Sequence, residues 1–200
     1  MEFGSQTVNE LLASLAAKKP TPGGGAVAGV LSALSTSLGE MVLAYTEGKD
    51  KYSQHEILHS NCSSFFQSAS EEAIVLAEED ANAYEALNGL WKLDKDNPTR
   101  EKAWSETLQY AIEVPLKTME LSHRILITLQ TLVGKTNAML RSDLVIAAIL
   151  AESAARSARL NVEINVKQMD EGEERTSLQE RTATLLGECQ DLCKAIEDAC

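Results

Sequence analysis

Two hundred residues, 44% of them apolar, are enough for one domain with its own core, and the 4% aromatic content means that this core is built from Leu, Ile, Val and many Ala. The formal charge of −12 and a pI near 4.7 exclude nucleic acid as the partner, because a binder must displace counterions from phosphates with a basic surface. An anionic small ligand would need a local cationic patch against the overall field.

Met1 to Ser5 reads as an added leader and is left out of the fold argument, which covers residues 6–200 as one helical domain. Thr7 and Glu10 form a T-x-x-E capping box ahead of Leu11, Leu12 and Leu15, which predicts a short first helix. Residues 18–25 read KKPTPGGG, a loop. A second helix follows over 26–46, with Gly25, Gly29 and Ala33 spaced four apart for close backbone approach, within or between subunits. Its uncharged stretch 27–38 is rich in Ser, Ala and Gly and reads as a buried helix. Neither a membrane span nor a signal peptide is visible.

After a break at GKDK (48–51), a long third helix is predicted over 54–91, with Cys62, Phe65, Ala69, Ala73, Leu76, Ala77, Asp80, Ala83, Tyr84, Leu87 and Trp91 on its inner stripe. DKDNP (94–98) is a polar turn, with Thr99 as N-cap of a fourth helix that Pro115 should kink. Residues 134–141 connect to a fifth helix capped by Ser142 or Asp143, whose inner stripe is Ala147, Ala151, Ala154, Ala158, Asn161 and Asn165. A last helix carries Leu178, Leu185, Cys189, Leu192 and Ile196. No alternating strand pattern appears, so the fold class is all-α, a bundle of about six helices.

The informative residues are the polar ones on apolar stripes. Asp80 sits among Leu76, Ala77, Ala83 and Tyr84. It is either a buried structural partner or an acid/base group whose pKa burial moves toward neutrality. Glu78 and Glu79 point elsewhere and read as solvated. Asp143 is a first-turn acid or a site residue. Asn161 and Asn165 need partners from a helix or a ligand, and Asn137 serves a turn or a ligand. Thr21, Gly23, Gly24 and Gly25 lead into a helix N-terminus, where free N–H groups favour an anion; the loop lacks the G-K-[S/T] of a P-loop and the G-x-G-x-x-G of a dinucleotide site. His55, Glu56 and His59 satisfy H-E-x-x-H literally, which keeps a metal-dependent hydrolase as a rival. Cys62, Cys189, Cys193 and Cys200 form no metal-type CxxC pair and fit a reducing cytosol.

PTPGGGAVAGVLSALSTSLGEMV (20–42), TEGKDKY (46–52), EEDANAYEAL (78–87), EVPL (113–116), NAMLRSDLVIAA (137–148) and ARLNVEIN (158–165) occur in that order. Together they resemble the formiminotetrahydrofolate cyclodeaminase and methenyltetrahydrofolate cyclohydrolase family over roughly residues 7–195. Thr136 stands where that family often has Gly. The resemblance implies a cytoplasmic all-α subunit, dimeric or a higher homo-oligomer, that binds a tetrahydrofolate derivative near the glycine-rich loop, with or without a polyglutamate tail. It implies either closure of 5-formiminotetrahydrofolate to 5,10-methenyltetrahydrofolate with release of ammonia, or hydrolysis of the methenyl bridge, with no metal and no cofactor beyond the folate. On that reading Asp80 is the acid/base, and Asp143 orients it or transfers a second proton. Asn137, Ser142, Asn161 and Asn165 contact the pterin or a water, and Lys49, Lys51 and Arg141 receive the glutamate carboxylates. A folate-binding helical protein without chemistry is the remaining alternative.

Overall fold

The computed structural model describes residues 3–200. Among them the chain forms six α-helices and no strand: α1 (Val8–Ala16), α2 (Gly24–Ala44), α3 (Glu56–Trp91), α4 (Pro98–Leu132), α5 (Arg141–Val166) and α6 (Glu173–Ala199). The expected all-α bundle is what the sequence builds.

The Thr7 capping box is present in full: the Thr7 N–H donates to Glu10 Oε2 at 2.8 Å, and the Glu10 N–H donates to Thr7 Oγ1 at 3.3 Å. Phe3, inside the segment set aside as a leader, is buried against Ala26, Ala77 and Ala81. Its N–H donates to Glu78 Oε1 at 2.8 Å, so Glu78 is a half-buried tether rather than a solvated charge. The part of the leader assignment that falls on Met1 and Glu2 lies outside the described residues.

Several boundaries differ from expectation, each for a local reason. α2 starts at Gly24, two residues early, because Gly23 takes the extended cap position without a side-chain bond. A 3-10 turn (Asp50–His55) takes up residues expected in the long helix, which begins at Glu56. Asn97, not Thr99, caps α4: its Oδ1 accepts from the Thr99 N–H at 2.9 Å while Pro98 fills the first helical position. Neither Ser142 nor Asp143 caps α5. Asn137 caps a 3-10 turn (Ala138–Leu140) that runs directly into α5, leaving Ser142 and Asp143 in its first turn.

α2 is the central element, packed against α3, α4 and α5. A Cβ on Gly29 would lie 2.7 Å from the Ala73 carbonyl oxygen and 2.8 Å from the Ala77 Cβ, so the small-residue face serves a contact with α3 inside the subunit. Ser35 Oγ donates to the Ala147 carbonyl of α5 at 2.7 Å, and the Ser32 and Ser122 hydroxyls share a hydrogen bond of 3.2 Å between α2 and α4. On its opposite side α2 carries Val27, Leu31, Leu34, Leu38, Met41 and Tyr45, all half-buried or exposed. This helix is long and apolar enough to cross a membrane by length and composition, although 56% of its apolar window is buried in the bundle.

α4 runs as one helix through Pro115, whose missing N–H deprives the Ala111 carbonyl of its i+4 donor. Asn165 supplies the replacement: its Nδ2 donates to that carbonyl at 2.7 Å. In α3 the fully buried aromatic is Phe66 rather than Phe65, and Tyr84 is 41% exposed. In α6 the buried seam is Thr182, Leu186, Cys189, Cys193 and Ile196; Leu178, Leu185 and Leu192 flank it. The four cysteines are free thiols.

Candidate functional site

The residues singled out in the sequence fall into two groups, one at each end of α2. At the N-terminal end, α3 presents Asp80 to the glycine-rich turn. The carboxylate lies so close to the Gly25 α-carbon that a Cβ there would occupy its space, and the Ala26 N–H donates to it. Gly25 is therefore required for close approach rather than for a special dihedral. Burial raises the Asp80 pKa from 3.8 to about 6, and the Ala26 N–H only partly opposes the rise. A half-buried carboxylate at a helix N-terminus, poised near neutral pH, can both take and return a proton.

Thr21 and Asn161 complete this end. Thr21 is buried, and its Oγ1 donates to Glu85 Oε1 at 2.7 Å, which ties the loop to α3. Asn161 reaches to 4.0 Å from where a Gly24 Cβ would stand, while its Nδ2 donates to the Ser157 carbonyl at 3.0 Å. Asn165, one turn further along, has one amide hydrogen committed to Ala111. Sequence reasoning missed Glu85. Its signal was present: Glu78 and Glu85 are seven residues apart, two helical turns, and each holds a segment that crosses α3. Tyr110 was missed as well; burial and then the neighbouring Glu79 raise its pKa.

At the C-terminal end of α2, Asn137 anchors the connector. Its N–H donates to Thr46 Oγ1 at 3.0 Å and its Nδ2 to the Tyr45 carbonyl at 3.2 Å. The Ala138 N–H donates to the Tyr52 hydroxyl at 3.2 Å, and Lys51 Nζ lies 5.2 Å from the centre of the Tyr52 ring. Thr136 is buried in this connector. Lys49 lines a cavity of about 270 Å³ with Thr46, Tyr52, Glu56 and His59. Lys49, Lys51 and Arg141 make no ion pair among the described residues.

The two groups are far apart in one chain. Gly25 and Thr46 lie 21 residues apart, about 30 Å along α2 at 1.5 Å per residue. Asp143 and Asn161 stand 18 residues apart on one line of α5, about 27 Å. A single subunit therefore does not bring Asp143 beside Asp80. A larger cavity of about 590 Å³, between α4 and the start of α6, is lined by none of the candidate residues.

His59 of the H-E-x-x-H segment is 3% exposed, with its Nε2 2.9 Å from the Lys135 carbonyl oxygen, a structural tie between α3 and the connector. Among the described residues no group of three His, Cys, Asp or Glu side chains is arranged to hold a metal.

Comparison with known proteins places this geometry. The family model described as formiminotransferase-cyclodeaminase matches residues 7–184. The chain belongs to that family. Among relatives, a methenyltetrahydrofolate cyclohydrolase from Methylorubrum extorquens is 29% identical over 188 residues, covering 92% of this chain and 89% of that protein. A formimidoyltransferase-cyclodeaminase from Rattus norvegicus is 33% identical over 178 residues, 87% of this chain but 33% of the rat protein. The chain thus spans about a third of the length of that larger family member. A crystal structure of a formiminotetrahydrofolate cyclodeaminase from Thermotoga maritima superposes with a TM-score of 0.89 at 25% identity, covering 98% of this chain and 96% of that one. The six-helix arrangement is the fold of the cyclodeaminase member.

Proposed function

We propose that the protein is a cytoplasmic folate one-carbon enzyme that closes 5-formiminotetrahydrofolate to 5,10-methenyltetrahydrofolate and releases ammonia. Family membership supports the folate chemistry, and the observation that carries the mechanism is the Asp80 carboxylate lodged against Gly25 and Ala26 with its pKa near 6. N10 of the folate attacks the protonated formimino carbon, forming the N10–C bond. Asp80 takes the N10 proton and returns it to the amine, the C–N bond breaks, and ammonia leaves with the positive charge held on the methenyl bridge. Only proton transfers are needed, so the reading requires no metal and no cofactor beyond the folate.

The helix N-terminus at Gly24 and Gly25 and the side chains of Thr21 and Asn161 border the reacting end. Lys49, Lys51 and Arg141 supply the cationic patch for the glutamate carboxylates, including a polyglutamate tail, and Asn137 and Ser142 frame it. Similarity to the Methylorubrum cyclohydrolase favours a second reading, in which the same carboxylate activates water against the methenyl carbon.

The two readings separate in one assay. Purified protein is given 5-formimino- and 5,10-methenyltetrahydrofolate in turn while the methenyl absorbance is followed. A rise with ammonia release from the first establishes the cyclodeaminase, and faster loss of the second establishes the cyclohydrolase. No change with either, in folded protein that binds folate, overturns both.

A further inference from the structure

We infer that Glu85 is a positioning residue for the proton transfer: through Thr21 it holds the glycine turn, and with it the Ala26 N–H, against the Asp80 carboxylate. This rests on the folate reading above and adds what keeps the reacting end assembled.

The turn has little of its own to hold it. α1, which leads into it, buries none of its residues. Lys18, Lys19 and Pro20 are exposed, and Thr21 and Pro22 are the buried residues of the stretch 18–23. Gly23 caps α2 without a side-chain bond, and a Cβ there would meet nothing within 4 Å; one on Gly24 would meet only Asn161, at 4.0 Å. Glycines in such open surroundings keep a wide choice of backbone dihedrals. The backbone bonds here are local, from the Lys19 N–H to the Ala17 carbonyl at 2.8 Å and from the Val27 N–H to the Gly23 carbonyl at 3.1 Å. Among the described residues, the hydrogen bond that carries the turn to another element runs from Thr21 Oγ1 to Glu85 Oε1 at 2.7 Å, between residues 64 apart in sequence.

The place of that bond gives it leverage on Asp80. Glu85 lies five residues after Asp80 on α3, about 7.5 Å along a rigid helix. Thr21 lies five residues before Ala26, whose N–H donates to the Asp80 carboxylate. The two contacts close a ring, one side of it helix and the other side the turn with its three glycines. Tying a flexible segment at its second end removes much of its freedom. Glu85 thereby fixes where Gly25 and Ala26 meet Asp80, at a point so close that a Gly25 side chain would overlap the carboxylate. The chemistry of the bond suits this task. A hydroxyl donating to a carboxylate makes a stronger bond than a neutral pair, and Glu85 makes no ion pair among the described residues. Thr21 is 4% exposed, so its hydroxyl needs this acceptor.

Wild type is compared with Glu85→Gln, Glu85→Ala and Thr21→Val, with circular dichroism showing that each is folded. Glu85→Gln keeps an oxygen acceptor, whereas Glu85→Ala and Thr21→Val each remove one partner of the bond. The first readout is amide exchange followed by NMR, which needs no turnover. The Ala26 amide is expected to exchange about 10-fold faster in Glu85→Ala and Thr21→Val, with that of Leu87 in the buried part of α3 unchanged. The second is steady-state turnover of whichever folate the wild type converts. In the same two variants kcat is expected to fall about 10-fold, with KM shifting less, while Glu85→Gln stays within about threefold of wild type. The combined Thr21→Val/Glu85→Ala variant should be no worse than either single change. An Ala26 amide that exchanges at the wild-type rate in Glu85→Ala would overturn the inference. So would a normal kcat in a variant that merely melts earlier, or a loss confined to KM. Glu85→Gln as damaged as Glu85→Ala would put the charge in place of the hold, and would overturn it too. Wild type without turnover on either folate would strike the folate reading, and the exchange rates would then decide by themselves whether Glu85 holds the turn.

Discussion

Asp80 and Gly25 share one space: the carboxylate of the first lies where the side chain of the second would be. The contact joins the C-terminal half of the longest helix to the start of the most apolar one and sets the acid/base group on the Ala26 backbone N–H. Gly25→Ala should therefore displace the carboxylate while sparing the helix, which Ala favours over Gly by about 1 kcal/mol. Turnover is expected to fall by about 100-fold, the order associated with misplacing a reacting group by about 1 Å. Steady-state kinetics beside far-UV circular dichroism checks this; unchanged kcat with unchanged helicity would remove Asp80's position from the mechanism.

Asp80 also sets a trade between stability and function. Its folded pKa is about 6 against an ordinary 3.8. Below the ordinary value both folded and unfolded chains hold the proton, and no penalty exists. As pH rises from 3.8 through 6, the unfolded chain gives up its proton first, so stability falls, and above 6 the full penalty of about 3 kcal/mol is present. Asp80→Asn should accordingly be more stable than wild type at pH 8, by up to about 3 kcal/mol, and no more stable near pH 3. Urea unfolding at the two pH values measures the difference. A destabilised variant at pH 8 would mean that the charged form has a buried cationic partner.

The Asn165 amide and Pro115 form a coupled pair through the Ala111 carbonyl. Asn165→Ala should cost about 1–3 kcal/mol, because it leaves that carbonyl unpaired in the interior. Adding Pro115→Ala restores a backbone donor and should recover a large part of the loss. A double-mutant cycle in denaturant tests it, and strictly additive effects would show that the amide is not standing in for the missing N–H.

At the other end of α2, Lys49→Ala together with Arg141→Ala should raise KM for a polyglutamylated folate more than for the monoglutamate, with little change in kcat. The difference should shrink as salt is raised, since exposed charges are screened beyond about 10 Å at 0.1 M. Equal effects on both substrates at all salt concentrations would place the glutamate tail elsewhere.

The sequence made much of this visible. Periodicity located all six helices and a capping box the start of the first, and Asp80 stood out because a carboxylate among Leu76, Ala77 and Ala83 has no purely packing reason to be there. Other features were hidden for physical reasons. No side chain caps α5, as was expected of Ser142 or Asp143, because a 3-10 turn capped by Asn137 runs into it, and such turns carry no distinct periodicity. The sequence left a helix or a ligand open as the partner of Asn165, because the orphaned carbonyl 54 residues away that its amide meets follows only from tertiary packing. The separation of Asp143 from Asp80 was likewise invisible: one stood on an apolar stripe and the other in a first helical turn, and only the antiparallel run of α2 and α5 sets them at opposite ends.

The central claim is that Asp80 moves the proton, and its most direct test is the pH dependence of kcat/KM for ammonia release from 5-formiminotetrahydrofolate. As the base toward N10, Asp80 must be ionised, so the account predicts a rise through an apparent pKa near 6, absent from the residual activity of a folded Asp80→Asn variant. A profile flat from pH 5 to 7, or an Asp80→Asn variant with wild-type turnover, would contradict it.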